Sequence, residues 1–175
     1  MIVAICCPGQ SLMRRWTEST GKHDLLITVN AAANLMRSDW VCAADKSWYR
    51  GLLSPTVPPR RGYLVAPDAR ADALAFANGL EVLTWENVSL IHQHTTEGRP
   101  INWSVQAALC FAEQLGAREI FLYGADGIKS TTTVDASGYK GEDRTPDRWQ
   151  REEHDLAYTI AMIQGRSTTV HRIDP

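Results

Sequence analysis

The chain has no apolar run of the roughly 20 residues that a membrane-spanning helix needs, and no basic segment leading into an apolar core. The sequence therefore predicts neither a membrane span nor a secretory leader, and a cytoplasmic setting is expected. It also lacks a basic excess: 18 Lys and Arg stand against 20 Asp and Glu, a formal net charge of −2. Nucleic acid is not indicated as a partner, and any acidic ligand must be met by local groups. Cysteine is scarce, with Cys6, Cys7, Cys42 and Cys110 all inside apolar stretches and no Cys-x-x-Cys pair among them. That spacing excludes the usual zinc and dithiol signatures, so the four read as small buried hydrophobes. Adjacent Cys6 and Cys7 would face opposite sides of a strand, a poor geometry for a disulfide. Three nucleotide signatures are missing as well: the Gly-x-Gly-x-x-Gly fingerprint, the Walker loop and the Asp-x-Asp pair of many metal-dependent glycosyltransferases.

What remains is an ordinary globular composition, 44% hydrophobic and 22% charged over 175 residues. Length and composition fit one domain, 1–175, with a substantial core. Apolar segments of strand length alternate with helical patterns: strands are predicted at Ile2–Cys7, Leu25–Val29, Trp40–Ala44, Gly62–Ala66, Glu81–Thr84, Glu119–Tyr123 and Thr168–Ile173. Helices are predicted near Ser11–Ser19, Lys46–Leu53, Ala69–Asn78, Trp103–Leu115 and Pro146–Ile163. The alternation predicts an α/β fold, a Rossmann-like three-layer domain with a mostly parallel sheet. In the fourth helix Val105, Leu109, Ala112 and Leu115 recur at helical spacing, Asn102 is placed to cap the start, and Gly116 suits the stop. Ser54–Arg61 and Gly124–Thr145 read as loops, the second long enough for a lid.

An open parallel sheet gathers ligands at the carboxyl ends of its strands. Those ends supply Pro8, Gly9, Gln10 and Ser11 after the first strand, Asn30 after the second, Asp45 after the third, and Gly124, Asp126 and Gly127 after the sixth. Asn102 and Ser104 add donors at a helix start. Gly9 allows close backbone approach and Ser11 suits a phosphate oxygen, with a plain N-cap as the alternative for Ser11. Asn30 suits a base or ribose, or merely its own loop; Asp45 suits a ribose hydroxyl, a metal or a helix cap; Asp126 suits a ligand or a solvated turn. Among the histidines, His154 lies between Glu152-Glu153 and Asp155, carboxylates that would raise its pKa, and reads as a solvated helix face or a general base. His92 and His94 have a strand-like spacing that would put both rings on one side, but without a third ligand no metal site is expected. His23 and His171 read as structural. Arg14, Arg15, Arg37, Arg99, Lys129, Lys140, Arg144 and Arg148 are the basic residues near the predicted rim.

Three segments in order carry a resemblance. Ile5-Cys-Cys-Pro-Gly9-Gln-Ser11-Leu12 resembles the Gly-x-Gly-Pro-Ser-Leu opening of the superfamily of bacterial CMP-sialic-acid-dependent sialyltransferases and MptE-like 6-hydroxymethylpterin pyrophosphokinases, of which small phage proteins are also similar. Thr28-Val-Asn30 is similar to the family's second strand, and Ser104 through Asp126 to its helix, Leu-Gly turn and Gly-x-Asp strand end. This chain departs from the pattern at Cys7 and Val105, each in place of a glycine, at Pro8 in place of an asparagine, and at Gln10 in place of a proline. The resemblance implies a nucleotide or nucleotide-sugar as partner and transfer of a glycosyl group to a hydroxyl acceptor, with no cofactor required. Gly9 and Ser11 would hold phosphates, Asn30 and Ser104 the base or ribose, and Asp126 the acceptor or sugar. The sialyltransferases' general-base histidine falls near Gln150 here, one turn from His154, which is the candidate base. The pyrophosphokinase branch implies instead ATP and Mg²⁺, with Asp126 or Asp45 as ligand. A third possibility is a non-catalytic phage module that sequesters a nucleotide or serves in virion assembly. A homo-oligomer is open on this sequence.

Overall fold

The structure is a computed structural model that describes residues 1–18, 23–55, 57–126 and 145–173. All seven predicted strands are present: β1 Ile2–Cys6, β2 Leu25–Val29, β3 Trp40–Ala43, β4 Gly62–Val65, β5 Glu81–Thr84, β6 Glu119–Tyr123 and β7 Thr169–Ile173. They form one sheet in the order β5-β4-β3-β2-β1-β6-β7, and every pairing is parallel. The α helices are α1 Leu12–Glu18, α2 Arg70–Ala77, α3 Ser89–Thr96, α4 Ser104–Gln114 and α5 Pro146–Gln164.

The near-continuous apolar strands are buried on both faces, as a sheet covered by helices requires. Along β1 and the residue after it, Val3, Ile5 and Cys7 enter the core beneath α3, α4 and α5, while Ala4 and Cys6 pack with Leu12 on the opposite side. Cys6 and Cys7 thus face opposite layers. All four cysteines are free and buried, and burial pushes every thiol pKa up. Beneath β3 and β4, Tyr49, Tyr63 and Phe76 make edge-to-face contacts with one another.

Local chemistry sets the helix ends. Thr145 caps α5 by accepting from the Arg148 N–H at 3.3 Å, with Pro146 in the first turn. Gly116, at φ 87°, ends the turn after α4 in the left-handed region that favours glycine. Asn102 does not cap α4. The Gln106 amide oxygen accepts from the Asn102 and Trp103 N–H groups at 3.2 and 3.3 Å, because a glutamine three positions into a helix reaches back over its first turn.

Two differences from the sequence reading concern local winding. The predicted helix at Lys46–Leu53 is largely a π turn over Trp48–Leu52, broken at Gly51. The segment holding His92 and His94 is helix α3, not extended. Two residues apart on a helix point to different sides, so His92 is exposed while His94 is 1% exposed. Their rings do not share a side. No helix among the described residues is long and apolar enough to cross a membrane.

Candidate functional site

The strand order puts the exits of β3, β2, β1 and β6 side by side on one edge, and the order reverses at β1, where an α/β sheet opens its crevice. Register fixes the alignment: Cys6 lies beside Thr28 and Tyr123, and Val29 beside Cys42. The sequence-predicted residues Pro8–Ser11, Asn30, Asp45 and Gly124–Asp126 therefore occupy four adjacent exits.

Between β1 and β6 the two loops are in contact. The Gly9 N–H donates to the Gly124 carbonyl at 2.9 Å, and the Cys7 N–H donates to the Tyr123 carbonyl at 2.8 Å. A Cβ on Gly9 would lie 2.2 Å from the Gly124 oxygen and 2.7 Å from Asp126 Cγ. The close approach that Gly9 permits is thus made to its own protein. Asp126, 5% exposed, accepts from the Ser11 N–H at 2.9 Å and from the Ser11 hydroxyl. The two residues predicted as separate ligand contacts form one buried unit. Pro8 and Gly9 are partly buried, and Gln10 is exposed at the loop's crest.

Arg172 on β7 braces this corner. Its guanidinium donates to the Ala125 carbonyl at 2.8 Å and forks onto the Glu153 carboxylate of α5. The turn that carries Asp126 is held from one side by Arg172 and met from the other by Ser11.

At the next exits the picture is more open. Asn30 has φ 50°, and among the described residues its buried Oδ1 has no hydrogen-bond partner. Buried amide oxygens are nearly always paired, so this one is an exception that asks for a donor. Asp45 is exposed at the exit of β3. Ser104 is buried; its hydroxyl accepts from the Ala44 N–H at 3.0 Å, tying the start of α4 to that exit.

His154 lies elsewhere. It is exposed on α5, at a cleft of about 270 Å³ whose lining includes His94, Arg99, Asn102, Asp155 and Tyr158. None of Pro8–Ser11, Asn30, Asp45, Gly124 or Asp126 lines it. The structure thus sets the two predicted catalytic residues, Asp126 and His154, in different surroundings. The carboxylates expected around His154 are engaged: Glu152 with Arg148 at 3.3 Å, Glu153 with Arg172, and Asp155 with the Trp103 indole N–H at 3.0 Å.

Sequence reading missed Tyr158 and Arg172 as components of these sites and weighed His94 only as a metal ligand beside His92; Gln106 had a local signal, a glutamine at the third helical position, which reaches back to the free N–H groups of the first turn. Of the other histidines, His23 packs near Trp16 with ring centroids 5.3 Å apart, and His171 stacks on Phe121 at 4.6 Å. Arg37 is exposed, and Arg14 and Arg15 belong to α1. Gly127, Lys129, Lys140 and Arg144, with the rest of the expected lid over 127–144, lie outside the described residues. Among the described residues no group of three or more His, Cys, Asp or Glu side chains is arranged to hold a metal ion.

No protein-family model and no curated sequence matches the chain. Its fold matches solved structures of a sialyltransferase. The crystal structure of the sialyltransferase CstII with a trisaccharide acceptor and CMP is similar at a TM-score of 0.57 and 10% identity, over 99% of this chain and 81% of that one. CstII from Campylobacter jejuni with the substrate analogue CMP-3FNeuAc is similar at 0.55 and 9% identity, over 99% and 80%. The seven-stranded parallel sheet with helices on both faces is therefore a sialyltransferase-like Rossmann fold.

Proposed function

We propose that the chain binds a nucleotide-activated sugar at the carboxyl edge of β3, β2, β1 and β6 and transfers the glycosyl group to a hydroxyl acceptor. The observation that carries the nucleotide site is Asn30. A left-handed asparagine whose buried amide oxygen lacks a donor costs the ligand-free protein stability, and a base or ribose donor supplies what is missing. Solved structures of the same fold hold CMP and a CMP-linked analogue, which supports the choice of a nucleotide donor.

In this reading Pro8, Gly9 and Gln10 border the phosphates from the β1 exit, with Gly124 behind them. Ser11 and Asp126 shape that loop through their mutual hydrogen bonds, so Asp126 is a positioning residue. Asp45 faces the ribose hydroxyls, and Ser104 sets the start of α4 beside them. The acceptor oxygen forms its bond to the anomeric carbon as the bond to the nucleotide phosphate breaks. Its proton passes to a general base. The nucleotide-sugar is a substrate in this scheme, and no resident cofactor is invoked.

The test is a thermal-shift screen of wild type and Asn30→Gly against CMP, CDP, UDP-sugars, ATP and GTP, with and without Mg²⁺. A cytidine or uridine ligand is expected to stabilise the wild type without Mg²⁺. Asn30→Gly relieves the left-handed strain and removes the orphaned oxygen, so its ligand-free Tm rises by about 2–4 °C, as about 1 kcal/mol produces in a chain of this size. Its ligand-induced shift falls by more than half. Stabilisation by ATP or GTP only with Mg²⁺ would move the reading to pyrophosphoryl transfer, and no stabilisation by any nucleotide would overturn both.

A further inference from the structure

The cleft between α3, α4 and α5 has the composition of a ligand site in its own right. At its floor His94 is 1% exposed, and among the described residues its Nε2 has no partner. The exposed Arg99 guanidinium lies over the Tyr158 ring, Cζ 3.9 Å from the centroid. No carboxylate among the described residues pairs with it. Tyr158 also supports His94 edge-to-face, with centroids 5.5 Å apart. Also lining the cleft, the Asp155 Oδ2 accepts from the Trp103 indole at 3.0 Å and from the Asn102 amide at 3.4 Å. Its Oδ1 has no such partner among the described residues.

We propose that this cleft binds an uncharged sugar ring, one hydroxyl donating to Nε2 of His94 and others bridging the Arg99 guanidinium and the Asp155 carboxylate. Three observations select that class. The lining carries one guanidinium and one carboxylate, so an anion meets Asp155 and a cation meets Arg99, whereas adjacent hydroxyls donate to one and accept from the other. A space of about 270 Å³ lies just below the range of drug-sized pockets, which suits a single ring. The polar groups are already held in place by the Tyr158 ring and the Trp103 indole, so little ordering remains to be done on binding.

The state of His94 agrees. Burial holds its pKa below the ordinary value, against a backbone hydrogen bond with Arg99 and the Glu97 carboxylate, which act the other way. A neutral imidazole offers one ring nitrogen as an acceptor, and a hydroxyl is the neutral group that fills it. The inference concerns binding alone and holds whether or not the chain transfers sugars.

The experiment uses the whole chain labelled with ¹⁵N-histidine, and follows the ring nitrogens as sugars are added without nucleotide. The neutral probes are the methyl glycosides of glucose, galactose and mannose; glucuronate and glucosamine are the charged probes of equal ring size. At least one neutral glycoside is expected to move the His94 Nε2 signal saturably, and both charged sugars to bind more weakly. Arg99→Ala, a surface substitution, weakens that binding about tenfold, the loss expected for a charged hydrogen bond of about 1.4 kcal/mol. Asn30→Gly leaves it unchanged, which separates this site from the nucleotide site. The proposal is overturned if no neutral glycoside moves His94, if only His154 responds, if a charged sugar binds best, or if Arg99→Ala binds as the wild type does.

Discussion

Ser11 gives both its backbone N–H and its hydroxyl to the carboxylate of Asp126, a partner 115 residues further along the chain. The pair lies where β1 and β6 exit the sheet, so it joins the chain's first loop to the loop after its sixth strand. Replacing Asp126 by Asn removes the charge from two buried hydrogen bonds and is expected to destabilise the protein by about 1.5–3 kcal/mol. Ser11→Ala, which keeps the backbone bond, costs about 1 kcal/mol. Urea unfolding monitored by tryptophan fluorescence measures both, with an unchanged m-value marking a true stability effect. Equal losses for the two variants would contradict the arrangement.

Gly9 and Gly124 are each required by the contact itself. A Cβ on Gly9 meets the Gly124 carbonyl at 2.2 Å, and one on Gly124 meets the Cys7 carbonyl at 2.2 Å. Both obstacles are backbone, which cannot swing aside as a side-chain tip would. Gly9→Ala is therefore expected to cost about 2–4 kcal/mol, at the severe end for a point substitution. Gly79, whose added Cβ meets nothing within 4 Å, is the control for the contact. Gly79→Ala suffers only its positive φ of 89°, about 1 kcal/mol. Thermal or urea unfolding of the two variants side by side decides this, and a Gly9→Ala loss no greater than that of Gly79→Ala would count against it.

His94 makes stability depend on pH with a definite sign. Its folded pKa lies below the ordinary 6.5 because burial disfavours the imidazolium, with Glu97 opposing and the Arg99 charge assisting. As pH falls through 6.5 the unfolded chain takes the proton first, so the contribution of His94 is present above that value and is lost toward the folded pKa. Wild type should lose more stability between pH 7.5 and 5.5 than His94→Gln does, measured by urea unfolding at each pH. A steeper loss in the variant would reverse the assignment.

Much of the architecture was readable locally. Each strand is legible as a short apolar run, and the polar residues that follow each run are legible without knowledge of their neighbours. Helix α3 escaped because Ser-Leu-Ile-His-Gln-His-Thr-Thr spans barely two turns, and its β-branched and polar residues read as well in an extended segment. Its place between two glycines makes Asp126 read as a ligand contact or a solvated turn. Its commitment to Ser11 needed the pairing of β1 with β6, which no local pattern states.

The amino-acid sequence by itself determined the seven strands, the burial of the four cysteines and the list of polar residues at the sheet's exits. Those follow from local propensity and from the apolar content of each segment, properties that a window of a few residues contains. Only the tertiary structure decided which exits are neighbours, that Ser11 and Asp126 satisfy each other, that Asn30 is left without a donor, and that His94, Arg99 and Tyr158 meet Asp155 at one cleft. These are relations between segments tens of residues apart, fixed by strand order and helix packing.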